Sequence, residues 1–259
     1  MSDVRRMNYG ELPVEVHPTN EALGEAAALF LIEKMNQILS VQDTVNLIIA
    51  TGNSQLSLYQ GLRKHASAVD WQKVRIFHMD EYVGISDQHP ASFRKYLHER
   101  IVDIVKPLAF YGVIGDGGDA QAECERYTQL LKQYPADICC LGYGENGHLA
   151  FNDPPFADFE DPKLVKIVTL AEKSRQQQVG EGHFATVADV PKEAITLTIP
   201  ALLNVKHVLA IVPELRKAEA VKTALTGPIT EDCPGSILRK TPHARLFLDV
   251  ESASLLPAG

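Results

Sequence analysis

DICCLGYGENGHLAFNDPP, residues 137–155, changes character partway along its length. Residues 137–142 are a short apolar run that reads as a buried strand. The loop beyond it, with Gly144, Asn146, Gly147, His148 and a closing proline pair, suits neither helix nor strand. A buried strand that empties into a polar, glycine-rich loop is expected of a parallel α/β sheet, where ligands bind beyond the carboxyl ends of the strands.

The rest of the chain has the same grammar. Apolar, β-branched runs at 44–50, 74–79, 108–114, 163–171, 194–199, 205–213 and 244–250 read as strands. Helical spacing of apolar residues marks 19–39, 56–66, 89–105, 119–134 and 214–227. Strands alternating with helices predict a single α/β domain over 1–259, with a mostly parallel, doubly wound, Rossmann-like sheet covered on both faces. Residues 152–193 are richer in Pro, Gly and polar side chains and carry little apparent core, so a lid is expected there.

A formal net charge of −8 points away from a general binder of nucleic acid or anionic membranes, while leaving room for a locally positive pocket and an anionic small substrate. No apolar run approaches the ~18 residues of a membrane span, and the first residues lack the apolar core of a secretion signal, so a cytoplasmic protein is expected. The cysteines, Cys124, Cys139, Cys140 and Cys233, show no CxxC or Cys/His metal spacing and are expected to be reduced thiols. Cys139 and Cys140, adjacent in a strand, should point to opposite faces of the sheet.

Three segments sit where strands end. Thr51-Gly52-Asn53-Ser54 joins a strand to a helix; its hydroxyls and free N–H groups suit a phosphate, though a plain helix-capping turn would look the same. His78-Met79-Asp80-Glu81-Tyr82 carries His78 and Asp80 on one face if the strand extends that far. A carboxylate at a strand end is placed for general-base work, the alternative being a solvated acidic pair. His148 in its glycine-rich loop can move protons near neutral pH, although a lone histidine is more often structural.

Taken together, HMDEYVG (78–84), HPASFRKYL (89–97), GYGENGHLAFNDPP (142–155) and GPITEDCPGSILRKTPHARLFLD (227–249) resemble, in the same order, the glucosamine-6-phosphate deaminase (isomerase) family. The related 6-phosphogluconolactonases share the fold and a similar histidine loop, but continue with a TASLFP-like stretch where this chain has AFND. The resemblance implies an enzyme that opens the ring of an amino-sugar phosphate, carries a proton from C2 to C1, and releases ammonia and fructose 6-phosphate without a metal or organic cofactor. It implies a sugar-phosphate partner and leaves a homo-oligomer open.

Residue by residue, Asp80 matches the base for the C2–C1 proton, with Glu81 beside it in the candidate catalytic set. His148 matches the ring-opening group. Asp153 stands where deaminases usually carry Glu in a relay with the histidine, and Asn146 stands where they usually carry Asp. Thr51, Gly52, Asn53 and Ser54 match the phosphate loop, Lys217 a phosphate lysine, and Arg175 a phosphate arginine of the lid. A neutral Asn146 holding the imidazole would stabilise imidazolium poorly. The sequence therefore also admits a paralogue acting on another sugar phosphate, a lactonase, or a sugar-phosphate sensor.

Overall fold

The computed structural model describes residues 4–180, 182 and 184–257. Its strands are β1 (Arg5–Tyr9), β2 (Leu12–His17), β3 (Val45–Ile49), β4 (Val74–His78), β5 (Asp80–Tyr82), β6 (Ala109–Tyr111), β7 (Ile138–Leu141), β8 (Val165–Thr169), β9 (Glu193–Leu197), β10 (His207–Val212) and β11 (Ala244–Asp249). Eight of them form one sheet in the order β1-β2-β11-β10-β7-β3-β4-β6, parallel except for the β1–β2 hairpin.

The interior strands are apolar on both sides because helices cover both faces. Leu47, Ile49, Cys140 and Leu209 pack with the helices Asn20–Leu39 and Leu56–Lys64. Ile48, Cys139, Leu141 and Ala210 pack with Ala120–Gln133 and Ala218–Thr226. Cys139 and Cys140 thus face opposite cores, as their adjacency in a strand requires. From β3 the chain winds outward through β4 to β6, then returns across β3 to β7 and winds the other way. Connections leaving the carboxyl ends of β3 and β7 diverge, which opens a crevice between them.

Four features depart from the sequence reading. The β1–β2 hairpin was not expected; it is short, polar on alternate residues, and turned by Gly10 at φ 62°. The 89–105 helix divides into Phe93–Leu97, a π-helical turn His98–Val102 and a final turn Asp103–Val105. The expected 108–114 strand contracts to β6.

The fourth departure concerns the expected lid. Strands β8 and β9 do not join the main sheet but form an antiparallel sheet with β5, in the order β5-β9-β8. This second sheet packs a small core of its own: Phe151, Val168, Leu170, Phe184 and Val190 close on Tyr82 and Phe93. Residues 152–193 therefore carry more apolar packing than their composition suggested; Glu181 and His183 of that stretch lie outside the described residues. Only Met79 separates β4 from β5, so the chain steps from one sheet to the other at Asp80.

Candidate active site

The crevice is a cleft of about 620 Å³ of empty space, open to solvent. Two turns that each start a helix line it. Residues 51–54 follow β3, with Gly52 at φ 98° and open space where a side chain would be, so a ligand can approach the backbone closely. The Tyr96 hydroxyl donates to the Gly52 carbonyl at 2.8 Å and fixes this turn from outside. Opposite, Leu215–Lys217 follows β10 and presents Arg216 and Lys217. Lys217 is buried, so its ammonium sits where solvent screens it little. Two helix starts and two cations make the cleft suited to an anion.

Arg216 was not singled out by the sequence reading. Its Nε lies 2.5 Å from Glu214 Oε2, and its Nη1 lies 3.9 Å from Glu145 Oε1. Glu214 adopts φ 81°, a left-handed conformation that a glycine takes freely and a glutamate only at a cost. The buried Asp249 carboxylate accepts its backbone N–H, at 3.2 and 3.1 Å from the two oxygens, and holds the turn there.

The same cleft carries titratable groups. Asp80 is 6% exposed, and its Oδ1 is buried with no hydrogen-bond partner among the described residues. Burial, with the Glu81 carboxylate next to it, pushes its pKa up to about 8. Glu81 takes the opposite side of the strand, as period two dictates, and lies outside the cleft lining. It caps the helix Phe93–Leu97, accepting the Ser92 hydroxyl at 2.9 Å and the N–H groups of Phe93 and Arg94 at 3.2 and 3.0 Å. Burial raises its pKa and those bonds offset part of the rise. His78 does not share the cleft with Asp80. It is fully buried, its Nε2 accepts the Val113 N–H at 2.8 Å, and burial lowers its pKa to about 3.

His148 reaches the cleft from the loop after β7. Its imidazole covers Gly144 so closely that a Cβ there would lie 2.1 Å from the ring, which explains the glycine. Nδ1 lies 2.8 Å from Oδ1 of the buried Asp153. Asn146 does not hold the imidazole. Its Nδ2 donates to the same Asp153 oxygen at 2.8 Å, and its Oδ1 accepts the His148 backbone N–H at 3.1 Å. Burial alone would raise the Asp153 pKa; the His148 charge and the hydrogen bonds from His148, Asn146 and Ser174 outweigh it and bring the net shift below the usual carboxylate value.

Of the residues singled out by sequence, Thr51, Gly52, Asn53, Ser54, Asp80, His148 and Lys217 line one cleft, and Asp153 and Asn146 stand behind His148. Arg175 lies outside the lining: its guanidinium donates to the carbonyls of Val187 and Val190. Phe93, Phe151 and Gln178 complete the wall, and none was foreseen. Among the described residues no group of three or more His, Cys, Asp or Glu side chains could hold a metal ion, and no helix is long and apolar enough to cross a membrane.

Residues 18–247 match the model of the glucosamine-6-phosphate isomerase/6-phosphogluconolactonase family. The chain belongs to this family. Within it, the chain is 38% identical to a glucosamine-6-phosphate deaminase of Exiguobacterium sibiricum over 85% of its own length and 84% of the relative's. It is 34% identical to one of Listeria monocytogenes over 92% and 97%. A solved monomeric glucosamine-6-phosphate deaminase superposes with a TM-score of 0.85 at 31% identity, covering 93% of this chain and 99% of the other. A Trypanosoma brucei 6-phosphogluconolactonase, 20% identical with a TM-score of 0.76 and covering 94% and 98%, shares the fold.

Proposed function

We propose that the protein is a glucosamine-6-phosphate deaminase, converting glucosamine 6-phosphate and water to fructose 6-phosphate and ammonia. The observation that carries this reading is that Asp80, His148, Lys217 and the 51–54 turn line one cleft, with the side formed by Lys217 and the 51–54 turn read as the phosphate end. A phosphate at that end anchors a hexose with its first two carbons toward the two titratable groups, and binding energy from this remote contact orients the reacting carbons.

With Nδ1 turned to Asp153, His148 presents Nε2 to the substrate. It takes the proton of the C1 hydroxyl and returns one to the ring oxygen as the C1–O bond to that oxygen breaks, which leaves the open-chain aldehyde. Ionised Asp80 then takes the C2 proton while the aldehyde oxygen takes one from the substrate's own ammonium group, giving an enolamine, and Asp80 delivers its proton to C1. The resulting C2 imine adds water and loses ammonia. A carboxyl whose pKa lies near 8 both accepts and releases a proton close to neutrality, as a shuttle between adjacent carbons needs. Buried Asp153 keeps the imidazole's orientation and supports the charged imidazole formed in transit.

Lys217 and the 51–54 turn hold the phosphate in this reading, with Arg216 as the second cation. Arg175 and Glu81 serve the fold instead, since neither lines the cleft and their hydrogen bonds go to backbone groups and a helix start. The helix Glu172–Gly180 and its neighbours act as the lid, no cofactor takes part, and the enzyme works in the cytoplasm. The test is ammonia release from glucosamine 6-phosphate, with free glucosamine and 6-phosphogluconolactone run beside it. Turnover should be confined to the phosphorylated amino sugar; lactone hydrolysis without ammonia release would place the chain in the other branch of its family.

A further inference from the structure

The helix Glu172–Gly180 touches both halves of the catalytic machinery from a single face. Ser174, 3% exposed, donates its hydroxyl to Asp153 Oδ1 at 2.8 Å. Gln178, one turn further on the same face, accepts the Tyr82 hydroxyl at 2.7 Å. Asp153 is the group against which His148 rests, and Tyr82 lies two residues beyond Asp80 in β5. One turn of helix therefore contacts both Asp153, behind the imidazole, and Tyr82, two residues along β5 from Asp80.

The bonding of Asp153 is uneven. Oδ1 accepts from Asn146 and Ser174 at 2.8 Å each and lies 2.8 Å from His148 Nδ1, while Oδ2 is buried with no hydrogen-bond partner among the described residues. The direction of the carboxylate is thus set by what converges on one oxygen. Asn146 belongs to the same loop as Asp153 and moves with it. Ser174 is the donor among these that comes from a separate element, twenty-one residues along the chain.

We propose that Ser174 is a positioning residue: it ties the orientation of the Asp153–His148 pair to the seating of the helix Glu172–Gly180, so that the imidazole is aligned with Asp80 only while that helix is in place. This rests on the proposed deaminase reading for its catalytic consequence, though not for its structural one. Without the Ser174 hydroxyl the Asp153 carboxylate keeps only the contacts from its own loop, Asn146 and His148, so its orientation is held less firmly, and the preference for a proton on Nδ1 of His148 weakens, because a ring's tautomer follows the hydrogen bond its other nitrogen makes.

The experiment compares wild type with Ser174→Ala, Ser174→Cys and Ser174→Thr. Two-bond proton–nitrogen NMR of the ligand-free protein reads the His148 tautomer, with the signal assigned by its loss in His148→Gln. Steady-state ammonia release reads kcat and KM. In Ser174→Ala the His148 nitrogens should shift toward a mixture of tautomers and kcat should fall about tenfold with KM within about twofold, the loss of one hydrogen bond to a charged group. Ser174→Thr, which keeps the hydroxyl, should restore both readouts. Ser174→Cys, a close isostere with a weak donor, should fall between, and it decides the matter if the alanine variant does not fold.

Tyr82→Phe removes the other tie of the helix. By loosening the seat of the helix it should lower kcat and shift the His148 signature in the same direction as Ser174→Ala, by less. An unchanged His148 signature in both Ser174→Ala and Ser174→Cys overturns the proposal, as does unchanged kcat in an active enzyme. If wild type releases no ammonia, the functional reading fails while the NMR comparison still decides the coupling.

Discussion

Replacing Asp80 by Asn should make the protein more stable and inactive at once, and the pH dependence of the gain carries the test. Asp80 is buried, and its native pKa of about 8 stands well above the 3.8 of a free aspartate. Between those values the native protein keeps a proton that the unfolded chain has released. Stability then falls as pH rises through that window, by up to about 1.4 kcal/mol per pH unit, and levels off once the native carboxyl also ionises. Asparagine has no proton to lose, so the variant lacks this slope. Between pH 5 and pH 7 the stability difference should grow by about 2–3 kcal/mol in the variant's favour. Glu81, also raised, is present in both proteins and contributes little to the difference. Urea unfolding of both proteins at pH 5, 6, 7 and 8 measures this directly, and the activity of the same samples should fall by about 10²–10⁴-fold. A stability difference independent of pH would refute the claim that Asp80 stays protonated in the fold near neutrality.

Asn146→Asp should lower both kcat and melting temperature, because it sets a second carboxylate 2.8 Å from Asp153 in place of an amide donor; a gain in kcat would mean that Asn146 merely weakens an ordinary relay. Lys217→Ala and Arg216→Ala should each raise KM for glucosamine 6-phosphate by tenfold or more, whereas Arg175→Ala should chiefly lower thermal stability; equal KM effects from all three would contradict the assignment of the phosphate cations. Glu214→Gly should relieve the left-handed backbone and stabilise the fold by about 1 kcal/mol in urea, while raising KM as Arg216 loses the Glu214 carboxylate that orients it.

Asp80, His148 and the 51–54 turn were legible in the sequence for one reason, whereas Lys217 came from the family resemblance alone. In a parallel sheet the residues just beyond apolar strands face the ligand, and glycine, histidine and aspartate there stand out against the strands. The separation of Asp80 from Glu81 was legible in principle, since adjacent strand residues face opposite ways, but it required knowing that the strand resumes at Asp80 as β5. The β1–β2 hairpin and the independence of the second sheet were not visible. Alternating short strands do not say which neighbour they pair with, and β5 is three residues long. Ser174 and Gln178 reach the site through tertiary packing of a polar helix whose sequence, EKSRQQQVG, shows no apolar face. Arg216 had a usable signal: a turn that opens a helix with an assigned lysine displays its neighbour as well. Asn146 was placed correctly in the loop, but its partner, the Asp153 carboxylate rather than the imidazole, is a matter of side-chain geometry that spacing does not reveal.

The mechanism rests on one buried carboxylate, Asp80, carrying the proton from C2 to C1. Glucosamine 6-phosphate deuterated at C2, converted by the wild-type enzyme in ordinary water, probes that transfer through the deuterium content at C1 of the fructose 6-phosphate formed. Asp80 is 6% exposed, so a deuteron it picks up exchanges with solvent slowly compared with its delivery. A measurable fraction should therefore appear at C1, and Asp80→Asn should form product about 10²–10⁴-fold more slowly. Rapid turnover with complete loss of deuterium to solvent, or ready turnover by Asp80→Asn, would show that Asp80 does not carry the proton.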